Sequence, residues 1–412
     1  MDKNYFIVLG ASIDQKMSII TANRLGFKTL VFDKNSKAEC REYANKFFCC
    51  SSTDFFLIKK KIKNYKNKIK GVIAQGSDIP RTVSKIEKYL NIKNRVPLRA
   101  AIICTDKELM KDFFKKNKIP TTKLVNNYTR NSKLKFPLVV KPVDMSGSKG
   151  VLLCKNKSEL KYLLKRSKDE SIKKKIILEE FCAGPQLSTE TLIIDDNYYT
   201  FGFAERNYSD TKSFYPNILE NGGIQPAQKY IKYKPLINQY IKKISKKLNI
   251  KNGVIKSDIV INNNKIFFIE IALRLSGGDF SETLIPESTG VDIIKYAIMN
   301  AAGLKIDYFE LNKKQKNLFI ANRYFFSQKK ELLKKIKIPN KIKKLKWVKK
   351  IQFSKKLKIE KTISHRDRFG VFIVSAKSIS VLKKRIEYIY NNIKISNSHL
   401  KQNSSMILKK VI

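Results

Sequence analysis

The reading turns on Val254-Ile255-Lys256-Ser257-Asp258-Ile259-Val260-Ile261, then Asn262-Asn263-Asn264, then Lys265-Ile266-Phe267-Phe268-Ile269-Glu270-Ile271-Ala272-Leu273-Arg274. Two runs of β-formers around a turn of asparagines predict a β-hairpin. With the three Asn as the loop, Asp258 falls opposite Phe268, and Glu270 opposite Lys256. Asp258 and Glu270 are then diagonal neighbours, roughly 7–8 Å apart at the backbone. Alternation puts Lys256, Asp258, Glu270 and Arg274 on one face. The other face carries Ile255, Ile259, Ile261, Phe267, Ile269, Ile271 and Leu273. Two carboxylates that can converge on one cation, beside an arginine, suit a magnesium–phosphate site. Mg²⁺ takes one or two carboxylates and completes its shell with phosphate oxygens and water. A plain solvent-facing polar face alternates in the same way, so the hairpin alone leaves both readings open.

Two upstream segments bear on that choice. Phe136-Pro137-Leu138-Val139-Val140-Lys141-Pro142 reads as an apolar strand with one lysine near its end. The loop after it contains Ser146-Gly147-Ser148-Lys149-Gly150, small residues whose amides can close over phosphates while Lys141 neutralises charge. It is not a Walker loop, because GxxxxGK[ST] is absent. Ile176-Ile177-Leu178-Glu179-Glu180-Phe181-Cys182-Ala183-Gly184-Pro185-Gln186 is another apolar strand, running into two carboxylates and a Gly-Pro turn. Taken singly, each segment has an ordinary structural reading: a surface lysine beside a turn, or a strand leaving the core.

The 412 residues imply two to three domains. A hydrophobic fraction of 42% is enough for a sizeable core. No apolar run approaches the ~20 residues of a membrane-spanning helix, and the stretch Tyr5 to Gly10 is too short for a signal peptide. Six cysteines without CxxC or regular spacing read as reduced thiols, so the expected location is the cytoplasm. Lys+Arg of 85 against Asp+Glu of 35 gives a net charge of +50. Nearly all of it is lysine, and Lys, Ile and Asn are enriched along the whole chain, as an A/T-rich coding sequence would produce. Nucleic-acid readers cluster their charge and favour arginine, so nucleic acid is not the expected partner. The densest run, Gln328 to Lys350, with the only tryptophan, Trp347, reads as solvated surface. His365 and His399 lack triad partners and read as surface residues.

Residues 1–97 alternate strand and helix: Tyr5 to Leu9, Gln15 to Leu25 ending at Gly26, Thr29 to Asp33, and Gly71 to Ala74 before Gln75-Gly76-Ser77-Asp78. This predicts a parallel, Rossmann-like sheet. Gly10-Ala11-Ser12-Ile13-Asp14 lacks the second and third glycines of a dinucleotide fingerprint. Pro97 and Pro120 bracket a helix with Thr105 or Asp106 as its cap. A strand at Phe369 to Ser375 and a helix near Ile379 to Asn391 suggest a small α+β element at the end.

In this order the segments resemble the ATP-grasp superfamily, in the branch similar to biotin carboxylase and the carbamoyl-phosphate synthase large chain. Thr105-Asp106-Lys107 resembles the first ATP-contacting lysine motif, and Phe136 to Pro142 the strand of the second. Ser146 to Gly150 resembles the glycine loop over the triphosphate, and Leu178 to Gly184 the adenine hinge. Ile269 to Gly278 (IEIALRLSGG) resembles the hallmark IEINPRxxGG. The resemblance implies mixed α/β and α+β architecture. Its parts are a Rossmann-like pre-ATP-grasp domain over 1–97, an ATP-grasp domain over 98–310 with a lid at about 121–185, and a small β-rich C-terminal domain over 311–412.

It also implies roles. ATP would contact Lys107, Lys141, Ser146, Gly147, Ser148 and Gly150, with Glu179, Glu180, Phe181 and Cys182 at the adenine edge. Gln186 stands where a glutamate commonly holds the ribose. Mg²⁺, or Mn²⁺ in its place, would sit on Asp258 and Glu270, while Ala272 stands where an asparagine commonly adds a ligand. Arg274 would orient a carboxylate or steady an acyl-phosphate. Glu190, Arg206, Glu220, Ser276 and Gly277 are the candidate substrate contacts, each also readable as an ordinary surface or turn residue. The implied activity is an ADP-forming carboxylate–amine ligase with small-molecule carboxylate and amine substrates, in a chain that is often dimeric in this branch. The alternatives are a bicarbonate-activating subunit like biotin carboxylase, and an inactive basic scaffold that binds anions or nucleic acid.

Overall fold

A computed structural model describes residues 4–125, 135–312, 316–354 and 358–397. The first four strands, β1 (Tyr5–Leu9), β2 (Lys28–Asp33), β3 (Lys46–Cys49) and β4 (Ile69–Ile73), form a parallel sheet in the order β3-β2-β1-β4. Ile7, Leu9, Leu30 and Phe32 face α2 (Phe55–Ile62) and α3 (Pro80–Tyr89). Phe6, Val8 and Val31 face α1 (Lys16–Arg24) and the helix Ile293–Ala301. That second face is thus closed by a helix more than 200 residues downstream in sequence. Covering both faces explains why these strands are apolar almost throughout. Each fully buried Phe or Ile contributes roughly 1.5–3 kcal/mol.

The turn after β1 is unsuited to phosphate because its amides are already bonded. The Ala11 amide donates to Asp33 at 2.9 Å and the Ser12 amide to Gln15 at 2.9 Å. Both groups that could cradle an anion are already committed.

The middle of the chain starts with α4 (Leu98–Ile103) and α5 (Lys107–Lys116). The Asp106 carboxylate caps α5, accepting from the Glu108 and Leu109 amides. Strands β5 (Leu138–Pro142), β6 (Leu152–Cys154) and β7 (Ile176–Glu180) make an antiparallel sheet in the order β6-β5-β7, covered by α6 (Lys157–Glu170) through Leu160 and Leu163. This small sheet falls within the predicted lid; its residues 126–134 lie outside the described set.

The largest element is an eight-stranded antiparallel sheet. It contains β8 (Gln186–Ile194), β9 (Asn197–Arg206), β10 (Gly223–Gln225), β11 (Gly253–Asn262), β12 (Lys265–Ala272), β13 (Phe319–Phe325), β15 (Val348–Phe353) and β17 (Gly370–Ala376). Their order is β12-β11-β8-β9-β10-β13-β17-β15. Helix α7 (Lys234–Leu248) packs Ile237, Ile241 and Ile244 on one end. A third small sheet, β16-β14-β18, joins β14 (Glu331–Lys337), β16 (Lys358–Ile359) and β18 (Lys394–Asn397). The helix Ile379–Asn392 covers β13 and β17 through Leu382, Ile386 and Ile389. The 310/311 boundary does not divide the sheet, because β10 pairs with β13 across it.

The hairpin forms, with a register different from the expected one. Its loop is two residues, with Asn263 and Asn264 at φ 47° and 58°, so Asn262 pairs with Lys265. Both central residues at positive φ is the twist-matched turn, which asparagine tolerates. A bulge then makes Ile269 an extra residue on β12, so Ile259 pairs with Phe268 but Asp258 pairs with Glu270. The apolar face shifts parity there. Ile266 and Phe268 are core before the bulge, Ile271 and Leu273 after it, and Phe267 and Ile269 leave the core. Bulges of this kind re-aim side chains beside functional sites.

Between α3 and the hairpin's end, Glu87 is buried and accepts the Val96 amide at 2.8 Å. Burial pushes its carboxyl up to about 8, despite that bond. The neutral folded form stabilises the chain below the ordinary carboxyl range, and the contribution is lost as pH rises through about 8. Glu87→Gln keeps the acceptor without the charge. Its melting temperature should rise relative to wild type at pH 8.5 and match it near pH 5; equal shifts at both pH values would contradict the assignment.

Candidate functional site

A cavity of about 990 Å³ opens between the lid sheet, the hairpin, the N-terminal loops and the C-terminal strands. Its lining includes Lys107, Lys141, Ser146, Gly147, Ser148, Glu179, Glu180, Phe181, Cys182, Gln186, Asp258, Glu270 and Arg274. Of the residues expected to meet a nucleotide, Gly150 does not line the cavity. It packs against Pro142 and Glu170 at φ 71°, where an added Cβ would approach the Pro142 ring to 2.8 Å, so its role is to turn the loop.

At one end stand the lysines. Lys141 projects from β5 and pairs with Glu179 at 2.6 Å. Glu179 also meets Lys111 at 3.4 Å and accepts from Thr122 at 2.7 Å. Burial opposes its charge, but the two ammonium groups hold its carboxyl below the usual range. The Glu179 side chain is therefore first a counter-ion. Burial pushes Lys111 down to about 8 even with Glu179 beside it. Sequence reasoning missed Lys111; the available signal was a lysine among Met110, Phe113 and Phe114 on the apolar face of α5. Lys107, the first residue of α5, donates to the Met145 carbonyl at 2.6 Å and lies 3.6 Å from Glu270.

The hinge follows β7. The Glu180 amide donates to Lys123 at 3.0 Å and the Phe181 amide to Pro137 at 3.2 Å. At Gly184, φ is 139° and an added Cβ would lie 1.9 Å from the Ile261 carbonyl, so only glycine allows the hinge to rest on the hairpin.

At the hairpin the bulge places Asp258 and Glu270 directly across from each other and sends Ile269 into the same cavity. They are cross-strand partners rather than diagonal neighbours. The Ser188 hydroxyl donates to one Asp258 oxygen, and the Lys256 ammonium pairs with the other. Burial opposes the charge on Asp258, yet Lys256 and Ser188 hold its carboxyl below the usual range. Among the described residues no group of three or more His, Cys, Asp or Glu gathers as a metal cage. Two adjacent carboxylates in an open cavity fit a hard cation that takes its other oxygens from phosphate and water, as Mg²⁺ does.

The expected substrate residues divide. Arg206 and Glu220 line the cavity and pair with each other, and Glu220 also pairs with Arg368. Burial opposes the charge on Glu220, but the two arginines keep its carboxyl low. Gly277 and Ser276 also line it. Glu190 does not: it is 0% exposed and accepts from the Ser276 amide at 2.8 Å and the Ser281 hydroxyl at 2.6 Å. It shapes the turn after Arg274 from below. Arg274 itself forks onto Asp78 of the N-terminal part at 2.6 and 3.2 Å. That bidentate pair ties the two halves of the cavity together.

The C-terminal residues correct two expectations. His365 is no surface residue; it lines the cavity with Nε2 accepting from the Glu220 amide at 3.2 Å and lying 3.1 Å from the Ser148 hydroxyl. Its own amide donates to the Gly147 carbonyl at 3.0 Å. The imidazole is thus a latch between the glycine loop and the Arg206–Glu220–Arg368 cluster. His399 lies outside the described residues. Lys350, expected in solvent, reaches into the cavity to Asp279 at 2.6 Å and Glu282 at 3.3 Å. Both were invisible in sequence, because their partners lie about 70 to 220 residues away.

Comparison with known proteins gives a consistent picture. Residues 134–282 match the ATP-grasp domain family. A D-alanine–D-alanine ligase of Pelagibacter ubique is 28% identical over 214 residues, 48% of this chain and 66% of that ligase. A carbamoyl phosphate synthase large chain of Clostridium perfringens is 23% identical over 311 residues, 70% of this chain and 27% of that one. The chain thus spans less than two thirds of either relative's length. The crystal structure of an L-amino acid ligase from Bacillus licheniformis superimposes with a TM-score of 0.79 at 20% identity, covering 98% of this chain and 100% of that one.

Two outcomes follow from the geometry. Glu179→Ala leaves Lys111 and Lys141 buried without a counter-ion and should destabilise the chain by about 3–5 kcal/mol in denaturant titration. Glu180→Ala, at an exposed position, should stay within about 0.5 kcal/mol. Burial and the neighbouring Arg368 and Arg206 hold the His365 imidazole well below its ordinary range. Protonation would remove the acceptor at Nε2, so the latch is present at neutral pH, survives through the ordinary imidazole range, and is lost only in more acidic solution. Hydrogen exchange over residues 146–151, corrected for intrinsic rates, should therefore quicken in acid for wild type and not for His365→Gln.

Proposed function

From the premise that the chain carries an ATP-grasp domain, we propose that it is an ATP-dependent ligase that joins a small carboxylate to an amine and releases ADP and phosphate. The observation that carries this reading is that the paired carboxylates Asp258 and Glu270 line one cavity with Lys107, Lys141 and the Ser146–Ser148 loop. Lys107 and Lys141 are the groups to neutralise phosphate charge, and ATP would displace their present contacts to Met145, Glu270 and Glu179. The amide-bearing loop, latched by His365, excludes water from the triphosphate. Asp258 and Glu270 would hold Mg²⁺, which supplies charge neutralisation on the phosphoryl group.

In the first step a substrate carboxylate oxygen attacks the γ-phosphorus. The bond to the bridging oxygen breaks, and ADP leaves with the electron pair. In the second, the amine nitrogen attacks the acyl carbon, phosphate leaves with the C–O electron pair, and the nitrogen proton passes to solvent. Such transfer rests on positioning and electrostatics more than on a dedicated base. The bonds at His365 Nε2 agree with that division of labour, since its lone pair is already engaged. Arg206 and Arg368 offer the positive rim for a carboxylate, and the charge of the whole chain draws anions toward it.

The test is ADP release from Mg-ATP over pooled carboxylates, with and without pooled amino acids and bicarbonate. Release should need both a carboxylate and an amine. It should fall about 10²-fold or more in Lys141→Ala and in Glu270→Gln. Stimulation by bicarbonate alone would move the assignment to a bicarbonate-activating subunit. Absence of both turnover and ATP binding would leave a scaffold that no longer acts as an enzyme.

A further inference from the structure

Lys256 is a charged residue of the hairpin's cavity face that the proposed reaction leaves without a role. It lies in the cavity lining with its side chain only 14% exposed, and its ammonium pairs with Asp258. Its cross-strand partners are Ala272 on β12, the next same-face pair along from Asp258–Glu270, and on β8 Glu190, which is fully buried. Residues directly opposite in an antiparallel pair share a face. The face therefore presents two rows: Ser188, Asp258 and Glu270 in one, and Glu190, Lys256 and Ala272 in the other.

The charge count at that face is restrictive. Asp258 has Lys256 beside it, and Glu270 has Lys107 at 3.6 Å. Two carboxylates with two ammonium neighbours are neutral before any cation arrives. A first divalent ion can still be held, because nucleotide phosphates bring further negative charge and oxygen donors. A second ion would need another donor; in the Lys256 row Ala272 has none, and the oxygens of the fully buried Glu190 are taken by the Ser276 amide and the Ser281 hydroxyl. It would also stand beside the Lys256 ammonium, where like charges repel at close range.

We infer that this site works with a single divalent cation, and that the Lys256 ammonium, fixed by Asp258 and its place opposite Ala272, supplies the second positive charge. The inference rests on the ligase reading above, since it takes Asp258 and Glu270 as the cation's ligands. Lys256 acts as a built-in cation that neither dissociates nor depends on metal concentration.

The experiment counts bound Mn²⁺ by electron paramagnetic resonance, in the full chain saturated with a non-hydrolysable ATP analogue. Wild type should bind one Mn²⁺ per chain. The double variant Lys256→Ala/Ala272→Asp, which exchanges the ammonium for a carboxylate, should bind two. Lys256→Met should still bind one Mn²⁺ and the analogue, while losing about 10²-fold in turnover. Two Mn²⁺ ions of similar affinity in wild type would overturn the inference and leave the ligase reading standing. Failure of wild type to bind either the analogue or Mn²⁺ would overturn both. The wild-type count does not depend on whether the double variant folds.

Discussion

The site depends on one local constraint, the path of the chain through Asn263-Asn264 and Ile269. A two-residue turn with both φ values positive sets the register, and one extra residue shifts it by another step. Together they bring Asp258 face to face with Glu270. Without the bulge the same strands would set Glu270 a residue out of line, and its side chain would change faces. The apolar residues of β12 record the same event, since core positions change parity across the bulge.

Around that pair the protein solves a charge problem. A nucleotide site of this type must hold several cations close together, and each is unstable in a low-dielectric setting without a partner. The structure answers with internal counter-ions: Glu179 for Lys141 and Lys111, Glu270 for Lys107, Asp258 for Lys256, Asp78 for Arg274, and Glu220 for Arg206 and Arg368. Each pair keeps the site formed without ligand. Each also offers a charge that an arriving phosphate, metal or carboxylate can take over.

The pairs join distant parts of the chain. Asp78 comes from the N-terminal sheet, and Arg274 from the end of the hairpin. His365 and Lys350 come from the last quarter and meet the glycine loop and the turn after Arg274. The sheet itself runs from β12 to β15 without a break at the expected C-terminal boundary. The cavity is consequently walled by the N-terminal loops, the small β6-β5-β7 sheet, the hairpin and the C-terminal strands together.

The sequence by itself determined what local chemistry controls. Alternating strand and helix patterns specified the parallel N-terminal sheet, β-formers around the asparagines specified the hairpin, Thr105-Asp106 offered the cap at which α5 starts, and the ordered motifs pointed to Lys107, Lys141, Asp258 and Glu270, which line one cavity. Periodicity and capping act over a few residues, so they can be read without knowing the fold. Only the tertiary structure decided the bulge at Ile269, the burial of Glu190 beneath a turn, the service of Glu179 as a counter-ion to Lys141 and the buried Lys111, and the entry of His365 and Lys350 into the site. The reason is physical. A bulge is one residue of mismatch that alternation cannot show, and the partner of a buried charge is chosen by packing between segments far apart in sequence. A histidine or lysine carries no local mark of which distant amide or carboxylate it will meet.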